Sequence, residues 1–286
     1  MVDINVKEAK AKINSLREVL SSYKDNHKAI EFEFNNMISN WKNNKNPIFF
    51  SAVNDNQLTN IKAICKLEEE VNSLNTSVEK YSELGKKIKC NLEQREYILS
   101  KYNNIYNKIS DILTKYYALG GMSFYSNNYK IIATIETMKN QKAEISNIRD
   151  KVSEKYQYIQ SIDTDLGSVI TSDKELTLSN NLNYSTKEYV DDYEFNIAEV
   201  RLSNKKLSSL FSTQDDLIND IKNAFIDLSS YYESPSFDEI LSYNTSIYES
   251  LNSVFKTNTE LYSEVNDICD DYELMVAENI RNWEGV

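Results

Sequence analysis

Residues 9–41 read AKAKINSLREVLSSYKDNHKAIEFEFNNMISNW, a stretch with one regular spacing of large side chains. These side chains recur in alternating four- and three-residue steps: Ala9, Ile13, Leu16, Leu20, Tyr23, His27, Ile30, Phe34, Met37 and Trp41. This heptad spacing predicts a long α-helix whose apolar face packs against other helices. The helix should end at residues 43–47, where Pro47 is suited to the first position of a new helix.

The same spacing continues through most of the chain. Four further segments show it: Ile64–Tyr116, Ile131–Ile159, Tyr193–Tyr232 and Phe237–Trp283. The first of these predicts a single helix of about 100 Å that runs without interruption to Gly120. Capping-box spacing at Ser185–Glu188 and Ser236–Glu239 predicts helix starts at those places.

A shortage of turn-forming and metal-binding residues excludes most enzyme classes. The 286 residues include 5 Gly, 2 Pro, 3 Cys and 1 His. A β-sandwich or a nucleotide-binding loop needs many more turn residues, and His and Cys are the usual groups of metal and nucleophilic chemistry. We therefore expect an all-α protein that is not an enzyme, with no catalytic residue, no metal site and no cofactor. Cys65, Cys90 and Cys269 are expected to be reduced thiols that fill the core.

The charge and the absence of long apolar segments limit the possible partners. The net charge is −12, which argues against nucleic acid because phosphate contacts need clustered Lys and Arg. Acidic runs such as Glu68–Glu69–Glu70 are expected on solvated helix faces. No segment has the roughly 18 consecutive apolar residues of a membrane span, so stable membrane insertion is not expected. The first residues lack signal-peptide features, so we expect synthesis in the cytoplasm and any secretion without a cleavable signal.

The first and fourth heptad segments correspond to each other. A shift of 191 positions superposes them and aligns Trp41 with Tyr232, each of which precedes a turn that contains proline. Beyond the turns, shifts of 191 and 187 align the following helices about equally well. We therefore predict an internal repeat in an elongated helical bundle of two antiparallel helical hairpins plus a central antiparallel helical arm. The predicted boundaries are 1–92 for the first hairpin, 93–165 for the arm, 166–184 for a linker and 185–286 for the second hairpin.

Aromatic residues at the two turns have a spacing that resembles a known family. Trp41 is followed forty residues later by Tyr81, and Tyr232 is followed forty residues later by Tyr272. This layout resembles a tandem fusion of two modules of the small Trp-x-Gly family of type VII (ESX) secretion substrates. The chain departs from the family pattern at Asn43, where the family has Gly, and at Tyr232, where it has Trp. The family's tail signal, a Tyr with an acidic residue four positions later, is not met by Tyr81 or Tyr272.

The resemblance implies a fold and a function. Members of the family pair as antiparallel hairpins into four-helix bundles, so this chain would act as its own dimer. It would be a secreted substrate, an adaptor or a targeting partner that binds another helical protein, either secretion machinery or an effector. Partner binding is expected at the aromatic residues of the turns and of the last helix: Trp41, Tyr81, Tyr232, Tyr272 and Trp283.

Two other functions remain open. Heptads alone also fit a coiled-coil structural or surface scaffold protein, and self-association into a homo-oligomer stays open as well. A component of a helical pore-forming toxin would need a tongue, that is, a hidden apolar hairpin. Tyr116–Ile135 is the best candidate for such a tongue, but Ser126, Asn127 and Lys130 make it polar.

Overall fold

The computed structural model describes residues 1–42, 46–122, 128–171 and 194–284, and most of these residues are helical. The helices are α1 Val6–Ser39, α2 Asn46–Leu84, α3 Arg95–Gly120, α4 Tyr129–Gly167, α5 Ile197–Ser229 and α6 Pro235–Glu284. Short strands accompany them: β1 Val2–Asn5, β2 Trp41–Lys42, β3 Lys87–Cys90, β4 Glu194–Phe195 and β5 Tyr232–Glu233. The predicted all-α architecture is confirmed, with a small sheet added to it.

Helices α1, α2, α5 and α6 form a four-helix bundle. α1 and α5 lie antiparallel, because the strand before each helix pairs with the strand after the other. Asn5 caps α1 by accepting from the backbone N–H of Glu8 (3.4 Å), and Asn196 caps α5 by accepting from that of Glu199 (3.3 Å). Both helices therefore begin at an Asn that satisfies a free N–H of the first turn.

A three-stranded sheet lies at one end of the bundle. β1 lies between β3 and β5 and is antiparallel to both, with Ile4 opposite Ile88 and Tyr232. β2 and β4 pair at the other end, with Trp41 opposite Phe195. The heptad spacing does not predict these strands.

The predicted uninterrupted helix through Ile64–Tyr116 is wrong. α2 ends directly before Gly85, whose φ of +152° is a backbone conformation that favours glycine. The chain then forms β3 and a 3₁₀ turn, Leu92–Gln94, before α3 begins. Ile88 fits the heptad spacing, but it is a buried strand residue whose backbone pairs with β1.

α3 and α4 fold back on each other as the predicted antiparallel arm. Residues on the heptad faces of the two helices are half-buried: Leu99, Tyr102, Tyr106 and Ile109 on α3, and Ile131, Ile135, Met138, Ile145 and Val152 on α4. Leu113 is the one buried residue of α3. Side chains also link the two helices, since Arg95 donates to Ser153 Oγ (3.2 Å) and Arg149 donates to Asn103 Oδ1 (3.1 Å).

Two residues of the segment 166–171, which was predicted to begin a linker, belong to the core, while Ser168 and Thr171 are exposed. Leu166 and Val169 are buried in the apolar cluster that α2 and α6 also line. The remainder of that linker, residues 172–184, and the predicted capping box at Ser185–Glu188 lie outside the described residues.

The start of α6 differs from the predicted capping box at Ser236–Glu239. The cap is Ser234, whose Oγ accepts from the backbone N–H of Phe237 (3.2 Å), and Pro235 is the first helical residue. Proline suits the first position of a helix and serine suits the cap, so the helix begins two residues earlier than predicted.

Buried apolar side chains form two clusters along the bundle. One cluster lies beside the three-stranded sheet and includes Ile13 of α1 and Ile221 of α5. The other lies beside the β2–β4 pair and includes Phe34 of α1 and Phe211 of α5. Because α1 and α5 are antiparallel, each cluster contains residues from the first half of one helix and from the second half of the other.

Candidate functional site: the aromatic ends, the polar layer and the end of helix α6

Trp41 is the centre of an aromatic cluster at the end of the bundle where β2 pairs with β4. Its ring centroid lies 5.3 Å from that of Phe49, 5.7 Å from that of Phe50 and 5.5 Å from that of Phe195. The ring of Phe195 lies 4.6 Å from that of Tyr272 on α6. Trp41 is fully buried, so the cluster joins the two hairpins by ring contacts that stabilise the core.

Tyr232 lies at the other end of the bundle, in the three-stranded sheet. Its ring centroid lies 6.1 Å from that of Tyr81 on α2 and 5.1 Å from that of Phe237 on α6. Tyr81 and Tyr232 are fully buried, and burial raises the pKa of both hydroxyls. Both hydroxyls therefore stay neutral at physiological pH.

The structure groups the predicted partner-binding residues across the hairpins. Trp41 of the first hairpin shares a cluster with Tyr272 of the second, and Tyr232 of the second contacts Tyr81 of the first. The rings of Trp41, Tyr81 and Tyr232 are covered, so in this conformation a partner cannot reach them. Tyr272 is half-buried, while Trp283 is 88 % exposed. Partner binding stays a prediction, with Tyr272 and Trp283 the two accessible residues of the five.

The last residues of α6 extend beyond the start of α5. Arg201 near the start of α5 pairs with Asp270 (2.5 Å) and Glu273 (3.1 Å), and α6 continues to Glu284. Large apolar side chains of this extension are exposed: Leu274, Met275, Val276, Ile280 and Trp283. The apolar face of α6 is therefore buried as far as Cys269 and uncovered beyond Tyr272.

A layer of buried polar residues separates the two apolar clusters of the bundle. Tyr23 Oη donates to Asn60 Oδ1 (2.6 Å), and Asn60 Nδ2 lies 3.3 Å from His27 Nδ1. His27 Nε2 lies 3.4 Å from Glu31 Oε1, and Gln214 of α5 is buried beside Tyr23, whose pKa burial raises. The heptad spacing predicts that Tyr23 and His27 face inward, but it does not identify their partners. A buried polar layer of this kind favours one register between helices.

Glu70 is a fully buried carboxyl on α2, close to α4 and α6. Burial raises its pKa to about 8, while the nearby amide of Asn244 and the charge of Lys66 lower it by less. Lys66 Nζ also donates to the backbone carbonyl of Val169, which follows α4. The prediction that Glu68–Glu70 is solvated is wrong at Glu70, because α2 packs against α1, α4 and α6 and is covered on several sides.

The titratable groups are dispersed. Within the described residues, no three His, Cys, Asp or Glu side chains form a group that could hold a metal ion. Cys65, Cys90 and Cys269 are buried free thiols, and burial raises the pKa of Cys90 and of Cys269. The uncovered end of α6, in contrast, offers an apolar surface for contact with another molecule.

No model of a known protein family matches the chain, and comparisons with curated proteins and with solved structures found no match. In the described ranges, none of the helices is both long and apolar enough to cross a bilayer. Function is therefore inferred from the residues of the chain itself.

Proposed function

We propose that the protein is a non-enzymatic helical component of a type VII-like secretion system. It acts as a secreted substrate, adaptor or targeting partner and binds another protein by helix–helix contact. The uncovered apolar face at the end of α6 is the observation that carries this proposal. Val276, Ile280 and Trp283 continue, in steps of four and three residues, the face that is buried at Val265 and Cys269. A partner helix along this face would extend the packing of the bundle.

The charge of this helix end specifies the chemistry of the partner. Residues 270–284 carry five acidic side chains and one basic side chain. A fitting partner is an amphipathic helix with Lys or Arg beside its apolar stripe, since opposite charges guide such docking. Trp283 is the expected anchor, because large aromatic residues contribute most at interfaces.

The pairing of the hairpins supports the tandem-module interpretation. A shift of 191 aligns Asn5 with Asn196, which cap α1 and α5, and Trp41 with Tyr232, which begin β2 and β5. β2 pairs with β4, the strand before α5, and β5 pairs with β1, the strand before α1. We infer that the hairpins are two copies of one unit, joined so that they pair as the subunits of a dimer do.

Burial also supports one register for the proposed repeat of the second helices. A shift of 187 aligns buried residues of α2 with buried residues of α6: Phe50 with Phe237, Val53 with Ile240, Ile64 with Leu251 and Val78 with Val265. The shift is therefore 191 for α1 and α5 and 187 for α2 and α6. The difference of four residues is about one turn of an α-helix. This agreement favours 187 over 191 for α2 and α6.

Export from the native host tests the proposal. We expect the protein in the culture medium of wild-type cells and its loss from the medium of cells that lack the membrane ATPase of the type VII system. Trp283→Ala is expected to weaken partner binding by about 30-fold, since truncation of an aromatic anchor costs about 2 kcal/mol. Circular dichroism should stay unchanged, because the side chain is exposed.

Ile226→Ala is the matched control. Ile226 is an exposed apolar side chain near the end of α5, whereas the uncovered part of α6 lies beside the start of α5. This variant should be exported and should bind like the wild type. Export that does not depend on the ATPase would overturn the type VII assignment. Partner binding that survives Trp283→Ala unchanged would show that the end of α6 is not the binding site.

A further inference from the structure

The arm ends in a group of exposed apolar side chains. Tyr117 and Leu119 lie at the end of α3, Met122 follows that helix, and Tyr129 and Ile132 begin α4. Between 39 % and 75 % of each residue is exposed. We name these five residues the arm tip. Apolar patches exposed in this way mark sites of interaction with proteins or membranes.

The arm is basic, although the protein as a whole is acidic. Residues 95–160 carry ten basic and six acidic side chains, whereas the rest of the chain carries 22 basic and 38 acidic ones. No acidic residue lies between Asp111 and Glu136, a stretch that includes Lys115 and Lys130. The end of the arm therefore combines apolar side chains with positive charge.

The two lysines lie close to the apolar side chains. Lys115 precedes the end of α3 by five residues, and Lys130 is the second residue of α4, so both lie within about 8 Å of a helix end. Lys139 adds charge further back, where its Nζ lies 5.7 Å from the ring centroid of Tyr117. Positive charge is thus present on both helices of the arm.

We propose that the arm tip docks on the surface of an anionic membrane. The apolar side chains enter the interface between headgroups and acyl chains, and Lys115 and Lys130 lie among the anionic headgroups. The contact is peripheral, since no helix in the described part of the chain is apolar enough to span a bilayer. This role is separate from the proposed contact of α6 with a helical partner.

The small size of the arm tip favours a membrane over a protein partner. The five residues belong to the last turn of α3, the two residues after it and the first turn of α4, so the area that they offer is small. A protein partner would bury little area there, and specific protein interfaces need about 800 Å² on each side. Lipid headgroups rearrange around so small a surface, so a membrane can cover all five side chains.

Binding of the full chain to vesicles tests the proposal. We expect co-sedimentation with vesicles of phosphatidylcholine and phosphatidylserine at physiological salt, and none with phosphatidylcholine alone. The triple variant Met122→Ser/Tyr129→Ser/Ile132→Ser should lose this binding. Lys115→Glu/Lys130→Glu should weaken it by about 25-fold or more, because one basic residue near the surface contributes about fivefold.

Control variants separate the arm tip from exposed residues in general. Leu274→Ser/Met275→Ser/Ile280→Ser removes exposed apolar side chains of α6, and Lys205→Glu/Lys222→Glu reverses two exposed charges of α5. Both controls should bind vesicles like the wild type. In a Trp283→Phe background the buried Trp41 remains as a constant signal, and Met122→Trp should add an emission that shifts to the blue when anionic vesicles are added.

Three results would overturn the proposal: no binding of the wild type to anionic vesicles, binding that the arm-tip variant retains, or equal losses in the α6 control. Soluble polyglutamate tests the alternative of an acidic protein partner. Binding of polyglutamate through Lys115 and Lys130, without binding of vesicles, would assign the arm to such a protein and overturn the membrane proposal.

Discussion

The four-helix bundle and the two-helix arm use the same heptad spacing but bury it to different degrees. We call the row of heptad-spaced side chains on one helix its seam. Seam residues of the bundle, such as Ile13 and Leu67, are fully buried, whereas Leu99 and Tyr106 in the arm are half-buried. Four helices enclose a core between them, while two helices cover only one side of each other. Heptad spacing therefore identifies the apolar face of a helix, but the number of helices that meet there determines how completely it is covered.

The largest expected difference concerns leucines on the two seams. Leu67→Ala in α2 is expected to lower the free energy of unfolding by about 2 to 5 kcal/mol, because it removes fully buried atoms and leaves a cavity. Leu99→Ala in α3 should cost about 1 kcal/mol, since solvent already reaches this side chain. Urea unfolding followed by circular dichroism measures both. Equal losses would contradict the difference in packing between bundle and arm.

A second expected effect concerns a buried ionisable group of the bundle, the carboxyl of Glu70. The pKa of this carboxyl is about 8 in the folded protein and 4.5 without burial, so the folded state binds the proton more tightly. The stability that this group contributes is complete below pH 4.5 and is lost as the pH rises through 8. Between pH 5 and pH 8 we expect the wild type to lose roughly 3 kcal/mol through Glu70, and Glu70→Gln to remove this loss.

Denaturant unfolding at pH 5, 6.5 and 8 checks this prediction. Glu68→Gln is the matched control, since Glu68 is a neighbouring carboxyl that is partly exposed and pairs with Lys24 at the surface. It should leave the pH dependence of the wild type in place. A Glu70→Gln protein with the same pH dependence as the wild type would show that Glu70 is ionised in the folded state.

The smallest of the three effects concerns the boundary between bundle and arm. Gly85→Ala is expected to cost about 1 to 3 kcal/mol, because the φ of +152° is strained for any residue with a Cβ. Gly121→Ala at the far end of the arm should change the stability by less than about 0.5 kcal/mol, since a Cβ there meets its nearest atom at 3.5 Å, an ordinary contact. Thermal unfolding of both variants makes the comparison, and an equally small change at Gly85 would contradict the predicted strain.

The helices and their pairing into hairpins could be predicted because each long helix repeats its pattern many times. α1 and α5 carry about ten seam residues each, so one irregular position does not hide the spacing. The arm was predictable for a related reason: its two helices are adjacent in sequence and carry matching apolar faces. Local information is thus sufficient for elements of this length.

The strands and the buried carboxyl could not be predicted, since both depend on residues distant in the sequence. β1 has two inward-facing side chains, Val2 and Ile4, too few for a recognisable alternation. Glu70 directly precedes the seam residue Val71 and would be solvated on a helix with one covered side. Its burial depends on contacts of α2 with α4 and α6, which no local pattern reveals.

The position of β1 between β3 and β5 determines the order of events during synthesis. Ile4 pairs with Ile88 and with Tyr232, so its second neighbour is translated 228 residues after it. At about 5 to 20 residues per second, the ribosome needs about 10 to 45 s to reach that strand. Until α5 has been made, the part of the apolar face of α1 that α5 covers is open to chaperones. The contacts between α3 and α4 need no later segment, so they can form once α4 has left the exit tunnel, before α1 meets α5.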